Sequence, residues 1–332
     1  MNLSWLVFAD VPLILILFYQ KVDGKRQIFK MIQGNPQAAV QEPRKYKHEI
    51  DTPPEEIKNP IAVETLDILR KGTYTNDDGV EINIKDMIDA CNENTKLFKP
   101  EHVHVLPECP NRAGKIIVTK EKTLNTCQRL IIDEHKDGVV ALNYASARNP
   151  GGGFWSLADE QEETLSRASS LWLSLIQNKE MYQYNRDRYT LLYSDYMILS
   201  PDVPVSRDIT YKFLQAPYKV SIITSPAVNA GPIRRRHHPD EALIEETMIN
   251  RIRKVVSVAA CGGYKTLILG AWGCCCFRND PIAMAEHFKQ ILVDEGLGKY
   301  FDEIIFPIHD YNKGRNLTKI FCDVLGVEQT EI

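Results

Sequence analysis

Gly151-Gly152-Gly153-Phe154-Trp155-Ser156-Leu157-Ala158-Asp159-Glu160-Gln161-Glu162-Glu163 is a glycine turn that runs into a crowd of acids. Upstream of it, Val139-Val140-Ala141-Leu142-Asn143-Tyr144-Ala145 is a continuous apolar run of strand length, the pattern of a strand buried on both faces. Downstream, Leu165, Ala168, Leu171, Trp172, Leu175 and Ile176 recur at intervals of three and four, one apolar face of a helix. The stretch therefore reads as a strand, a glycine-rich loop and a helix opening, with the carboxylates at that opening.

Consecutive glycines allow positive φ and expose N–H groups that can cradle a phosphate, and a helix N-terminus adds partial positive charge beside them. Asp159, Glu160, Glu162 and Glu163 repel one another while the helix terminus favours their charge. A glutamate held between those influences can carry a proton near neutral pH. Taken singly, a glycine turn after a strand is also consistent with a plain turn, and an acid-rich first turn with a solvated helix start.

Strand-like runs at residues 130–133, 139–145, 196–200, 220–224, 267–272 and 304–308 alternate with helical patterns at 164–177, 240–260, 281–295 and 316–325. That alternation predicts an α/β core over residues 128–332, a mostly parallel or mixed sheet covered by helices on both faces. A second loop, Leu269-Gly270-Ala271-Trp272-Gly273, leaves a strand, and Asn279-Asp280-Pro281 starts a helix with a capping residue and a proline at its first position. Two such loops at one edge of a sheet can grip a diphosphate between them. Residues 51–127 read as a helical accessory region whose first helix, marked by Ile61, Leu66, Ile68 and Leu69, is ended by Gly72. Residues 1–50 hold an apolar segment and the start of a Pro- and Gln-rich linker that continues to about residue 59.

Composition sets the bounds. A chain of 332 residues that is 44% hydrophobic can build a sizeable core and is not disordered. A net charge of −4 and a pI near 6.1 leave no overall footprint for nucleic acid, so direct DNA binding is not expected and a polyanion would be held locally. Eight cysteines, three of them in the run Cys274-Cys275-Cys276, form no CxxC pair, which predicts a reduced intracellular setting, cytoplasm or nucleus, and no metal centre. Against this stands the apolar run 3–19, followed by Lys21, Lys25, Arg26 and Lys30: either a membrane anchor with a cytoplasmic body, or a buried helix or stray extension, which Asp10 and Pro12 favour.

The spacing Gly-Gly-Gly, seven residues, Gln-Glu-Glu resembles the signature of the poly(ADP-ribose) glycohydrolases. The run Leu142-Asn143-Tyr144-Ala145-Ser146-Ala147-Arg148-Asn149-Pro150 before it looks like the microbial-type branch of that family. Further similar segments are Tyr193-Ser194-Asp195 through Val205, Ile223-Thr224-Ser225-Pro226-Ala227-Val228-Asn229-Ala230-Gly231, and Leu269 to Cys274 followed by Phe277. The resemblance implies a macrodomain fold and hydrolysis of the ribose–ribose bond of poly(ADP-ribose), with no cofactor. By the same resemblance Glu163 acts as general acid and then general base, Glu162 holds ribose hydroxyls, and Gln161 shapes the loop.

Gly151, Gly152 and Gly153 with Gly273, Cys274 and Cys275 would hold the diphosphate. Phe277 would pack beside a ribose or else anchor its own loop, and Asn143, Ser146 and Asn229 occupy family motif positions. Partners would be the polymer or ADP-ribosylated protein, and a monomer is expected. A non-catalytic reader of ADP-ribose and a hydrolase of mono-ADP-ribosylated protein or nucleic acid are the alternative functions. The run Arg234-Arg235-Arg236-His237-His238 fits either further phosphates of a polymer or a solvated loop. The chain departs from the pattern at Cys275 (usually glycine), at Ser206 (usually aromatic) and in lacking a glycine within residues 155–158. If Cys275 takes positive φ, the second loop is strained.

Overall fold

The computed structural model of the protein describes residues 15–22, 25–32, 58–310 and 316–332. The chain divides into two units, residues 1–44 and 45–332.

In the first unit, β1 (Leu15–Val22) pairs antiparallel with β2 (Lys25–Ile32) as a hairpin, Leu15 opposite Ile32 and Val22 opposite Lys25. The C-terminal part of the apolar run, expected to be an anchor or else a buried helix or stray extension, is therefore a strand and not a helix. Residues 3–14 of that run, and the linker over 33–57, lie outside the described residues. None of the described helices is long and apolar enough to cross a membrane.

The second unit opens with α1 (Pro60–Lys71), capped by the Asn59 side chain and ended by Gly72 in the left-handed conformation, as the sequence predicts. The small hairpin β3 (Thr73–Thr75) and β4 (Glu81–Asn83) and the helix α2 (Lys85–Asn94) follow. The remaining strands form one sheet: β5 (Lys96–Phe98), β6 (Lys115–Thr119), β7 (Val139–Tyr144), β8 (Met197–Arg207), β9 (Phe213–Ser225), β10 (Thr266–Ile268), β11 (Glu303–Pro307) and β12 (Gln329–Thr330). Their order is β12-β6-β11-β10-β7-β9-β8-β5, parallel from β12 to β9 and antiparallel at β9/β8 and β8/β5.

Alternate residues of the central strands serve opposite faces, which is why the strands read as unbroken apolar runs. Val140, Leu142, Leu267, Ile304 and Phe306 join one core with α8 (Ile244–Cys261), α9 (Pro281–Lys289) and α10 (Leu317–Leu325). Val139, Ala141, Ile268 and Ile305 join another with α3 (Thr123–Gln128), α4 (Gln161–Ala168), α5 (Leu171–Ile176) and α6 (Lys179–Asp187). The expected mixed sheet with helices on both faces is thus present. The short α7 (Ala230–Arg235) begins the run of arginines.

Three expectations need correction. Residues 130–133 are not a strand: Arg129–Asp133 continues α3 as a wide π turn, because Thr123, Leu124, Cys127 and Leu130 are buried at helical spacing. The predicted helix over 164–177 breaks at Ser169, whose Oγ donates to the Leu165 carbonyl and accepts from the Leu171 N–H. The sheet also begins before residue 128, since β6 lies beside β11 in register from Lys115 to Thr119, and β5 pairs with β8. Five- and three-residue strands are too short to stand out by periodicity.

Candidate active site

The carboxyl ends of the adjacent parallel strands β7 and β10 each release a loop, residues 145–160 and 269–280, at the same edge of the sheet. Between the two loops lies an open cleft of about 440 Å³, lined by Gly152, Gln161, Glu162, Glu163, Gly273, Cys275, Cys276 and Phe277 among others. Ligands of open α/β sheets occupy this position.

The first loop is wound tightly around the two glutamates. The Gly153 N–H donates to Glu163 Oε1 at 2.6 Å, and the Ser146 N–H donates to Glu162 Oε2 at 2.6 Å. Asn143 Nδ2 reaches Glu162 Oε1 at 3.3 Å. Gly152 has φ +59, and a Cβ there would stand 2.4 Å from Glu163 Oε1 and 2.8 Å from Glu162 Oε2, so only glycine fits between the turn and the carboxylates. Burial drives the Glu162 carboxyl well above the ordinary range; the Ser146 and Asn143 hydrogen bonds oppose that rise and the neighbouring Glu163 adds to it.

Gln161 ties the helix start to the strand end. Its Oε1 accepts from the Tyr144 N–H at 2.8 Å, and its Nε2 donates to the Leu142 carbonyl at 2.7 Å and to Thr123 Oγ1 at 3.2 Å. Arg167, one turn along α4 and completely buried, holds the other side of the loop. Its Nη2 donates to the carbonyls of Gly153 and Ser156 at 2.9 Å each, and its Nε to the Phe154 carbonyl at 3.1 Å. An arginine inside a helix reads as a surface residue, and the sequence offered no sign that this one threads a loop; only its one-turn distance from the glutamates could have drawn notice.

Behind the loop, Phe154 stacks on Trp172 with centroids 5.2 Å apart, and Trp155 meets both edge-on. The same cluster takes in Ala62, Leu66 and Leu69 of α1, and the Lys58 N–H donates to the Trp155 carbonyl at 3.0 Å. The accessory region is thus a direct support of the glycine loop.

The second loop passes under the Tyr144 ring, whose hydroxyl donates to the Leu269 carbonyl at 2.7 Å. A Cβ at Gly270, where φ is +125, would stand 1.9 Å from that hydroxyl oxygen. Asn279 closes the loop, its Nδ2 donating to the carbonyls of Val228 at 2.8 Å and Gly273 at 3.2 Å. Positive φ in this loop falls on Gly270, Gly273 and Arg278, not on Cys275, so the expected strain at Cys275 is absent. At position 206, where an aromatic is missing, Ser206 is buried with its hydroxyl 3.5 Å from the Ala168 carbonyl.

Of the expected contact residues, Gly152, Gly273, Cys275, Phe277, Ser146, Gln161 and both glutamates line the cleft. Gly151 and Gly153 sit in the turn beneath it, where Gly153 presents its N–H to Glu163. Three others of the expected residues are not part of the lining. Asn143 is wholly buried behind Glu162, bonded to that carboxylate and to Thr224 Oγ1 at 3.2 Å. Cys274 is buried, its thiol 3.7 Å from the Trp272 carbonyl. Asn229 stands at the start of α7 with its amide 3.5 Å from the Tyr193 hydroxyl, away from the cleft lining. Ser146 lines the cleft, but its Oγ accepts from the N–H groups of Arg148 and Asn149 and so holds its own turn.

Residues the sequence did not single out also face the cleft: Arg148, whose guanidinium lies 5.9 Å from the Tyr193 ring centre, Tyr193 itself, and Thr123. Phe277 packs at 6.0 Å from Tyr193, which lends that phenylalanine a wall on one side.

Residues 62–208 match a family model described as the microbial-type PARG catalytic domain. The fold is similar to poly(ADP-ribose) glycohydrolase from Thermomonospora curvata, at 37% identity over 80% of this chain and 97% of that one, with a TM-score of 0.72. A structure of the same bacterial enzyme bound to the inhibitor ADP-HPD matches at 36% identity, over 79% and 97% of the two chains, again with a TM-score of 0.72. Poly(ADP-ribose) glycohydrolase from Deinococcus radiodurans in complex with ADP-ribose matches at 36% identity over 72% and 96%, with a TM-score of 0.64. Among curated proteins there is no match.

Proposed function

The chain belongs to the microbial-type poly(ADP-ribose) glycohydrolases, glycosidases of ribose–ribose bonds, and we propose that Glu163 is the proton donor and then the general base of that hydrolysis. The observation that carries this is the Gly153–Glu163 hydrogen bond. It fixes one oxygen, Oε1, at 2.6 Å from the loop amide, while Oε2 has no hydrogen-bond partner among the described residues and Glu163 lines the cleft.

Cleavage of an O-glycosidic bond passes through an oxocarbenium-like state, so the departing ribose oxygen must gain a proton as the bond lengthens and a water must lose one afterwards. In its acid form Glu163 gives the proton; the carboxylate then takes one from the attacking water. Glu162 is held through both oxygens by Ser146 and Asn143. Its burial favours the neutral carboxyl, which can both donate to and accept from ribose hydroxyls.

The diphosphate of a terminal ADP-ribose unit would lie between Gly152 and Gly153 of the first loop and Gly273 and Cys275 of the second, close enough to stabilise the developing cation. Phe277 would cover the neighbouring ribose. Polymer and polymer-bearing protein are the partners this reading implies. Purified protein given labelled poly(ADP-ribose) should release ADP-ribose, and Glu163→Gln should bind ADP-ribose without releasing it from polymer. Parental turnover by Glu163→Gln would overturn the role; a parent that binds ADP-ribose yet releases none would make it a reader.

A further inference from the structure

At the mouth of the cleft the two loops bring together three side chains to which the hydrolysis proposed above gives no role. Glu160 is the last residue before α4, and its carbonyl is fixed by the Thr164 N–H at 3.0 Å and the Thr164 hydroxyl at 2.8 Å. Opposite it, the second loop presents Cys275 and Cys276, both exposed. One carboxylate oxygen of Glu160 and the two Sγ atoms all lie within 4.8 Å of one another. Among the described residues Glu160 forms no ion pair.

We propose that Glu160, Cys275 and Cys276 form a binding site for a thiophilic divalent cation of the zinc class. Two thiolates and one carboxylate are three ligands of the type zinc takes, and they leave the fourth tetrahedral position to water. With metal–sulfur bonds of about 2.3 Å and metal–oxygen bonds of about 2.0–2.2 Å, ligand atoms in such a site stand roughly 3.3–3.8 Å apart. The three atoms have at most about 1–1.5 Å to close, which exposed side chains accomplish by rotamer change without moving the backbone. On binding, each thiol releases its proton to solvent and its sulfur gives an electron pair to the cation. The carboxylate is the third donor, and nothing is oxidised or reduced.

Occupancy would cross-link the residue three before Glu163 to the second loop, across the path by which a ligand enters. The cation is accordingly an inhibitor of polymer hydrolysis, a consequence that rests on the function proposed above. Thiol oxidation by peroxide competes with this chemistry and is separable from it, because chelation reverses cation binding and does not reverse oxidation.

The test uses the full chain in a phosphine reductant, titrated with cobalt(II) chloride. Thiolate-to-cobalt charge transfer and the visible bands of tetrahedral cobalt should appear at one equivalent and be displaced by zinc chloride. Cys276→Ser should lose about half of the charge-transfer intensity and weaken cobalt at least ten-fold. Glu160→Gln should keep the charge transfer and also weaken the cation. Zinc chloride should inhibit release of ADP-ribose from polymer, EDTA should restore it, and the inhibiting concentration should rise at least ten-fold in Cys276→Ser, each variant being compared with itself before metal addition.

Absence of a charge-transfer band up to millimolar cobalt overturns the site. A band unchanged in Cys276→Ser does so as well, because it would then arise from other exposed thiols such as Cys109 or Cys261. Cobalt binding that follows the ligand variants, without any effect of zinc on hydrolysis, keeps the site and overturns the inhibition. A parent that releases no ADP-ribose even in EDTA counts against the hydrolase reading alone, since the cobalt spectrum does not depend on turnover.

Discussion

The Gly153 N–H meets Glu163 Oε1 at 2.6 Å, ten residues away in the chain. A carboxylate normally searches several rotamers; this one is aimed by a backbone amide that is itself held by the turn of residues 151–153. The loop therefore does two tasks at once, offering backbone to a ligand and positioning the acid that would act on it.

Glu163→Gln tests the second task. Glutamine keeps the size of the side chain and can accept from the Gly153 N–H, but it can neither protonate a leaving oxygen nor activate water. Hydrolysis of polymer should fall by about 10²–10⁴, the usual worth of a positioned acid–base group. ADP-ribose affinity, measured by calorimetry, should stay within a few-fold. A loss confined to KM would assign Glu163 to substrate binding.

Gly152→Ala tests the first. Positive φ costs roughly 1 kcal/mol for alanine, and the new methyl also collides with both carboxylates. Gly79 serves as the control, because it too has positive φ, +79, but open space around its Cβ position. Both variants should lose comparable backbone stability in urea denaturation, whereas only Gly152→Ala should lose hydrolysis, by at least about ten-fold for 1.4 kcal/mol of displaced transition-state contact. Equal activity in the two would show that the carboxylates tolerate displacement.

What the sequence disclosed was what is local. Gly151 to Glu163 combine strand end, turn and helix start within one stretch, so the spacing alone placed the acids beside the glycines. The second loop was legible for the same reason, through Gly270, Gly273 and Pro281. What escaped depends on contacts far apart in the chain or on the sign of a dihedral. Nothing in the sequence singled out Arg167, and Asn143 was expected among the ligand contacts; which way each points is decided by packing against residues 11 to 81 positions away. Cys275 replaces a glycine without strain because its neighbours Gly273 and Arg278 take the left-handed positions.

Glu162 links the site to pH. Its carboxyl is raised by burial, so the folded state holds a proton that the unfolded chain gives up from the ordinary carboxyl range upward. Below that range both states are protonated and the residue is neutral toward stability. Above it, the folded state binds more protons than the unfolded one, and stability falls as pH rises. Glu162→Gln removes that titration. Its melting temperature relative to the parent should therefore be higher at pH 8.5 than at pH 4, whatever fixed cost the lost carboxylate bonds impose at both. A difference that is constant across this span would mean that Glu162 is charged in the folded protein.

Two truncations and substitutions of Arg167 separate the supports of the loop. A chain beginning at Gln41 removes the hairpin and should keep fold and activity, because the support of the loop begins at Lys58 and α1. A chain beginning at Gly72 removes Ala62, Leu66 and Leu69 from beneath Phe154 and Trp172, and should yield little soluble protein. Arg167→Met is the sharper probe. Methionine fills much of the arginine stem but leaves the carbonyls of Gly153, Phe154 and Ser156 without their donor in a buried setting. The expected loss is about 2–4 kcal/mol in urea denaturation. At temperatures where the variant remains folded, a loosened loop should weaken ADP-ribose and lower kcat together, since the Gly153 amide that aims Glu163 belongs to the same turn. Arg167→Lys should recover only part of either, because one ammonium cannot reproduce the fork that serves three carbonyls. Full recovery by lysine would show that positive charge alone, and not the geometry of the guanidinium, holds the loop.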